Sequence, residues 1–166
     1  MSVSLHPAVE SDFDDILRLN GAAVPHVNLI DRDELAGLAA QAFHFHVARV
    51  GDALAGFLLS LAPGADYGSL NYRWFSERYP QFVYVDRIVV ADEHHGLGIG
   101  RRLYAGLEQA MAGFAPSLTC EVNLAPPNPG SRAFHERLGF TEVGQQATEG
   151  GAKVVCLMHK PVGVPA

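Results

Sequence analysis

At 166 residues the chain is the size of one domain and long enough to bury a real core. Hydrophobic residues make up 48% and charged residues 18%, the composition of an ordinary soluble globule. The net charge of −6 offers no basic field to draw in nucleic acid, so the expected partner is small, or cationic at its reacting end.

In chain order, Val3 to Ala8 predicts a short edge strand that Pro7 closes. Ser11, followed by Asp14 and the apolar spacing Phe13, Ile16, Leu17, marks a helix start, and Gly21 its end. After Ala22 to Ile30, the pair Asp31 and Glu34 is a capping-box variant. It opens a second helix with the stripe Leu35, Leu38, Ala39, Ala42. Phe43 to Val50 and Ala53 to Leu61 predict a hairpin turning at Gly51-Asp52. Residues 62–81 mix Pro63, Gly64, Gly68 and Pro80 with Tyr67, Tyr72, Trp74, Phe75 and Tyr79. So many aromatics argue against disorder. The segment reads as a lid or pocket wall with one helical turn near Tyr72 to Phe75; a satellite core or a dimer seam is the equal alternative.

Phe82 to Val90 is a buried strand interrupted only by Asp86-Arg87. A short polar turn leads to Gly96, Gly98 and Gly100. A helical face then begins: Ile99, Leu103, Leu107, Ala110, Met111 and Phe114. A strand feeding a glycine turn that opens a helix presents bare backbone N–H groups beside the positive end of the helix dipole, an arrangement that binds phosphate. The dinucleotide fingerprint fails, because Arg101 fills its last place, and no Gly-Lys-Ser/Thr ending makes a P-loop. Ser117 to Asn123 is a second buried strand, with Ala125-Pro126-Pro127 stiffening its exit. Asn128 then stands as N-cap with Pro129 at N1, Phe134 and Leu138 form the buried edge of a short helix, and Gly139 is its C′ residue. Thr141 to Gln145 and Lys153 to His159 close the chain as paired strands, with Gly150-Gly151 near their turn. With no repeat or linker, the order β-α-α-β-β-β-α-β-α-β-β predicts one α/β domain over residues 1–166, its core at about 3–160.

Two segments carry a family resemblance. His95-Gly96-Leu97-Gly98-Ile99-Gly100 fits the Gln/Arg-x-x-Gly-x-Gly/Ala pattern that follows a strand in the GNAT acetyltransferases, with His95 in the first place. Asn128 to Phe140 resembles the later N-x-x-x-x-x-x-Y-x-x-x-G-F element, at the expected distance downstream. The resemblance covers most of the chain. It implies a mixed sheet of about seven strands, splayed between the fourth and fifth and flanked by about four helices. It implies acetyl-CoA as cosubstrate, no metal, and direct transfer of the acetyl group to a primary amine of a small molecule or protein. His95, Gly96, Leu97, Gly98, Ile99 and Gly100 would hold the diphosphate, with Arg101 and Arg102 either adding charge or standing as solvated surface. The backbone of Ile88, Val89 and Val90 would pair with the pantetheine amides like an added strand, joined by Asn128 and Ser131. Tyr72, Trp74, Tyr84 and Asn123 are the expected acceptor-binding residues. The competing class is a non-catalytic acyl-CoA-binding sensor or scaffold.

Acyl transfer to an amine needs a base for the ammonium and a proton for the departing thiolate. Asp86, a carboxylate within a strand of Val, Ile and Tyr, is the leading candidate base; a structural ion pair with an arginine or a surface-facing position is its alternative role. Glu121, alternating with Thr119 and Asn123, is the other. The helix position usually held by tyrosine is His135, which shares one face with Asn128 and Ser131. A histidine can donate a proton near neutral pH, and a neutral one is equally content as a helix-surface or capping residue. The pairs His44-x-His46 and His94-His95 lack the cysteine or carboxylate that would complete a metal site. Cys120 and Cys156 lie in apolar strand-like runs and read as buried thiols of a reducing compartment. The opening Met1 to Pro7 lacks a signal-peptide layout, and no apolar run reaches roughly 18 residues. A cytoplasmic protein without a membrane partner is therefore expected. The sequence leaves a homodimer open.

Overall fold

The computed structural model describes residues 2–163. Seven strands form one mixed sheet in the order β1-β2-β3-β4-β5-β7-β6. They are β1 (Val3–Pro7), β2 (Ala42–Val50), β3 (Ala53–Leu61), β4 (Val83–Val90), β5 (Ser117–Ala125), β6 (Thr141–Thr148) and β7 (Lys153–Pro161). The helices are α1 (Phe13–Ala23), α2 (Arg32–Gln41), α3 (Leu70–Ser76), α4 (Ile99–Ala110) and α5 (Pro129–Leu138). Every pairing with a resolved register is antiparallel except β4 with β5, which run parallel at Val83↔Leu118 and Tyr84↔Thr119. Pairing ends there, and the sheet is splayed between the fourth and fifth strands.

The contacts divide the chain into two compact units, one of residues up to 61 with 85–110 and one of 62–84 with 111 onward. In the first, α1 and α2 bury Phe13, Ile16, Leu19, Leu35 and Leu38. β3 is buried from Leu54 to Leu61, as a central strand requires. The Asp31 cap forms as expected: its carboxylate accepts from Glu34 N at 2.8 Å, and Glu34 accepts from Asp31 N at 3.2 Å. Ile99, Leu103 and Leu107 turn inward on α4. The predicted face stops earlier than its spacing suggests. α4 ends at Ala110, which is exposed, and Gly113 at φ +79° redirects the chain, so Phe114 lies 44% exposed.

The second unit is built on aromatics. Residues 62–81 hold a seven-residue helix, α3, where one turn was expected. Ser69 caps it, its Oγ accepting from Tyr72 N. Tyr72, Phe75, Phe82 and Tyr84 pack together at centroid distances of 5.4–6.5 Å. The aromatics therefore fill a core, the alternative to a lid. Trp74 lies against β6, where a Cβ on Gly144 would come 2.7 Å from the indole; the strand carries its bulge at this point. α5 begins at the predicted Asn128 cap and ends at Gly139, whose φ of +104° only glycine adopts readily.

Candidate active site

In the first unit, β4 leads through a 3-10 turn (Asp92–His94) into the glycine bend. His95 is pinned by Nε2 3.1 Å from Val90 O. Gly96 and Gly98 adopt φ of +85° and +74°, and nothing beyond their immediate chain neighbours lies within 4 Å of where their Cβ atoms would be. Gly98 opens α4, accepting from Arg102 N at 3.0 Å. The amides of Ile99, Gly100 and Arg101 have no intrahelical acceptor by helix geometry, and they stand at the positive end of the dipole. The bend is solvent-facing from His95 to Gly98, so side chains do not plug it. Arg101 is exposed and compatible with its expected contact. Arg102, expected beside the diphosphate, instead donates from Nη1 to Val3 O at 2.9 Å in β1.

Behind the bend, β3 and β4 approach closely. A Cβ on Gly56 would lie 2.8 Å from Val89 O and 3.4 Å from Val90 Cα, so this glycine is set by contact rather than by φ. Ile88 and Val90 are half-buried and Val89 is buried, alternating as a pleated strand does.

Asp86, expected as a candidate base, is held in a buried ion pair. Arg87 Nε donates to its Oδ2 at 2.7 Å, and the side chains are 4% and 2% exposed for Arg87 and Asp86. Arg87 Nη1 also donates to Asn20 Oδ1 at 2.9 Å and to Asn28 O at 3.1 Å. The ion pair with an arginine, the alternative to a free carboxylate at Asp86, is thus present. Its sequence neighbour Arg87 is a buried charge that motif reasoning passed over.

In the second unit, Glu121 on β5 is half-buried, and Tyr84 Oη donates to its carboxylate at 2.8 and 2.7 Å from Oε1 and Oε2. Asn123 is buried on the same strand. Asn128 caps α5, Oδ1 accepting from Ser131 N at 3.4 Å. His135 Nδ1 donates to Ser131 O at 2.8 Å; a carbonyl only accepts, so Nδ1 carries the hydrogen. The ring is 2% exposed, edge-on to Phe134 and Phe140 at 5.2 Å. Burial lowers its pKa, against an opposing pull from the Ser131 carbonyl. Ser131 Oγ also stands 3.3 Å from Nδ1, and burial favours the uncharged imidazole. His135 keeps the tyrosine's place on α5 and packs there among aromatic rings.

Two expected acceptor-binding residues are also occupied elsewhere. Tyr72 is buried, its hydroxyl donating to Ala62 O at 2.6 Å and accepting from Ala65 N at 3.0 Å. Trp74 sits beneath the Arg78 guanidinium, 3.8 Å from the ring centroid. Other reactive groups are quenched. Cys156 donates to Glu142 Oε1 at 3.0 Å, and burial with that carboxylate pushes its thiol up to about 12. Cys120 is buried as well. His44 and His46 stack face to face at 3.8 Å and do not splay around a common point.

The sheet order and the open glycine bend together define the fold class of the acyltransferases. The family follows: the acetyltransferase (GNAT) family model matches residues 11–140, and the chain belongs to that family. Among curated proteins no match is found. Solved structures share the fold. The ribosomal-protein-S18-alanine N-acetyltransferase of Escherichia coli is 16% identical, with 99% of this chain and 97% of that one covered at a TM-score of 0.74. Salmonella typhimurium yncA, solved with its cofactor acetyl-CoA, is 18% identical over 100% and 97%, at 0.72. Chaetomium thermophilum Naa20, in complex with a bisubstrate analogue, is 19% identical over 96% and 86%, at 0.75. The protein is an acetyltransferase of the GNAT type, a family that uses acetyl-CoA. Among the described residues no helix is long and apolar enough to cross a membrane.

Proposed function

We propose that this acetyltransferase moves the acetyl group of acetyl-CoA directly to a primary amine, of a peptide N-terminus or a small molecule. The observation that carries this reading is the open bend at Gly96 and Gly98. Positive φ there turns backbone toward solvent at the start of α4, and no side chain competes for the space. Bound acetyl-CoA supplies an activated acetyl thioester. The amides from Gly96 to Arg101 bind its diphosphate, Arg101 adds charge, and the β4 backbone at Ile88 to Val90 aligns the pantetheine. The resemblance of Asn128 to Phe140 to the family's later motif supports assigning Asn128 and Ser131, at the head of α5, to the pantetheine arm as well.

Glu121 is the base in this reading. Its carboxylate is held at both oxygens by the Tyr84 phenol, where that of Asp86 is neutralised by the Arg87 guanidinium. It receives the ammonium proton of the acceptor at a carboxylate oxygen, directly or through one water, and frees the lone pair that attacks. The leaving thiolate takes its proton from solvent in this reading, because the His135 ring is buried and its Nδ1 is engaged with Ser131. Asn123, two residues along β5, faces with Glu121 and contributes to acceptor binding. A peptide acceptor is favoured by the fold likeness to proteins named for alanine N-termini of ribosomal protein S18 and crystallised with a bisubstrate analogue.

Calorimetry with acetyl-CoA, followed by a thiol-release assay over alanine-initiated peptides and spermidine, tests the proposal. Wild type binds acetyl-CoA and turns over at least one amine, and a Gly98→Glu, Gly100→Glu double variant does not bind. Equal binding by both proteins discards the site. Binding without turnover of any amine supports the sensor instead.

A further inference from the structure

The polar cluster around Arg87 reaches further than an ion pair needs to. Consecutive residues of a strand point to opposite faces, yet the Arg87 guanidinium curls back to Asp86 and still extends to α1 and the segment that follows it. Asn20, fully buried on α1, completes the arrangement: its Nδ2 donates to Asn28 O at 2.9 Å while its Oδ1 accepts from Arg87. One main-chain carbonyl therefore receives two donors, one of them charged, from residues 8 and 59 positions away. Rotating the Asn20 amide would set its NH2 against the guanidinium, so its orientation is fixed. At the start of the segment between α1 and α2, Val24 N donates to Gly21 O and His26 N to Ala23 O, at its end Asp31 is tied to α2 through Glu34 and Leu35, and between them Leu29 is 72% exposed.

We infer that Arg87 and Asn20 are positioning residues that clamp residues 24–31 at Asn28 O and lock that segment in register with Asp86 on β4. The inference rests on the acetyltransferase reading for its consequence: the clamped segment is tied at Asn28 to β4, the strand whose backbone aligns the donor in that reading, so its release is expected to weaken acceptor binding. Asp86 anchors the clamp; it balances the buried guanidinium, which in turn has the planar fork to reach both Asn20 and Asn28. Lysine, a point charge on a flexible stem, keeps the ion pair but not the fork.

Full-length wild type, Asn20→Ala and Arg87→Lys separate this clamp from simple packing. Thermolysin cuts on the amino side of large apolar residues, and Asn28–Leu29 offers such a bond. Under native conditions, with global folding followed by circular dichroism, both variants are expected to be cut there at least tenfold faster than wild type, with other sites unchanged. Wild-type cleavage rates at that bond in both variants overturn the inference, whether or not any amine is turned over. In steady-state kinetics with an alanine-initiated peptide or spermidine, whichever wild type accepts, both variants raise the acceptor KM about tenfold and leave the KM for acetyl-CoA unchanged. A residue that only stabilises the fold lowers the active fraction and moves neither KM; that result with slow cleavage refutes the clamp. Loss of all turnover in wild type, with cleavage still accelerated in the variants, refutes the enzyme reading alone.

Discussion

Gly56→Ala tests the link between close packing and cofactor binding. The added methyl would lie 2.8 Å from Val89 O, about 0.6 Å inside the 3.4 Å at which ordinary contact begins, and 3.3 Å from Ile99 Cγ2. The conflicting atom is backbone in a paired strand, not the end of a flexible side chain, so β3 and β4 must separate to admit it. Overpacking of this kind costs about 1–3 kcal/mol. For a chain of this size each kcal/mol moves Tm by about 2–4 °C, so a fall of about 2–12 °C is expected by calorimetric scanning. Because the displaced carbonyl belongs to Val89, within the stretch proposed to pair with pantetheine, acetyl-CoA affinity falls as well. Titration calorimetry at a temperature where both proteins are folded reads that change. A Gly56→Ala protein with the Tm and the acetyl-CoA Kd of wild type refutes the reasoning. A lowered Tm with intact affinity refutes the role of β4 in donor binding while leaving the packing argument standing.

Glu121→Gln removes the base without changing shape, and kcat is expected to drop about 10²–10⁴-fold while the acetyl-CoA Kd holds; the thiol-release assay at pH 6 to 9 reads it. Asp86→Asn leaves Arg87 buried without its counter-charge. It therefore lowers Tm more than Glu121→Gln does, measured by thermal denaturation. Native protein at pH 8 is expected to react with no more than a trace of a thiol reagent, because Cys156 is held at about 12 and both thiols are buried; the pair titrates fully only in denaturant. His44 falls to about 4 through burial and the neighbouring His46, against an ordinary value of 6.5. The unfolded chain thus binds more protons in that window, and stability, complete above pH 6.5, is lost as pH falls from 6.5 toward 4. His44→Gln flattens that part of the Tm-versus-pH curve.

What the sequence made legible was governed by local rules. The Asp31–Glu34 box, the Asn128–Pro129 start and the Gly139 stop each involve groups a few residues apart, and all three formed where expected. The glycine bend was legible for the same reason. α3 was underestimated because Gly68 and the mixture of aromatic and polar residues hide any period, while its stability comes from Tyr72 and Phe75 meeting Phe82 and Tyr84. Arg87 was invisible as a clamp because Asn20 and Asn28 lie 67 and 59 positions away. Asp86 stood ahead of Glu121 as the base on sequence, though both are carboxylates in apolar strands. Only the tertiary partners, a guanidinium for one and a phenol for the other, tell them apart. His135 followed its motif in position, while its burial and its contacts to Ser131 and two phenylalanine rings come from packing that no motif spells out.

The placement of Trp74 has a practical side. It is the sole indole in the chain, and it rests between Arg78 and the bulge at Gly144. Its emission is therefore a built-in optical gauge of residues 62–84 and 111 onward, silent on the portion that holds the glycine bend. Far-ultraviolet dichroism, by contrast, sums every helix and strand. Superimposed denaturant curves from the two signals would mean that the whole chain melts in a single step, and any gap between them measures how far one half outlasts the other.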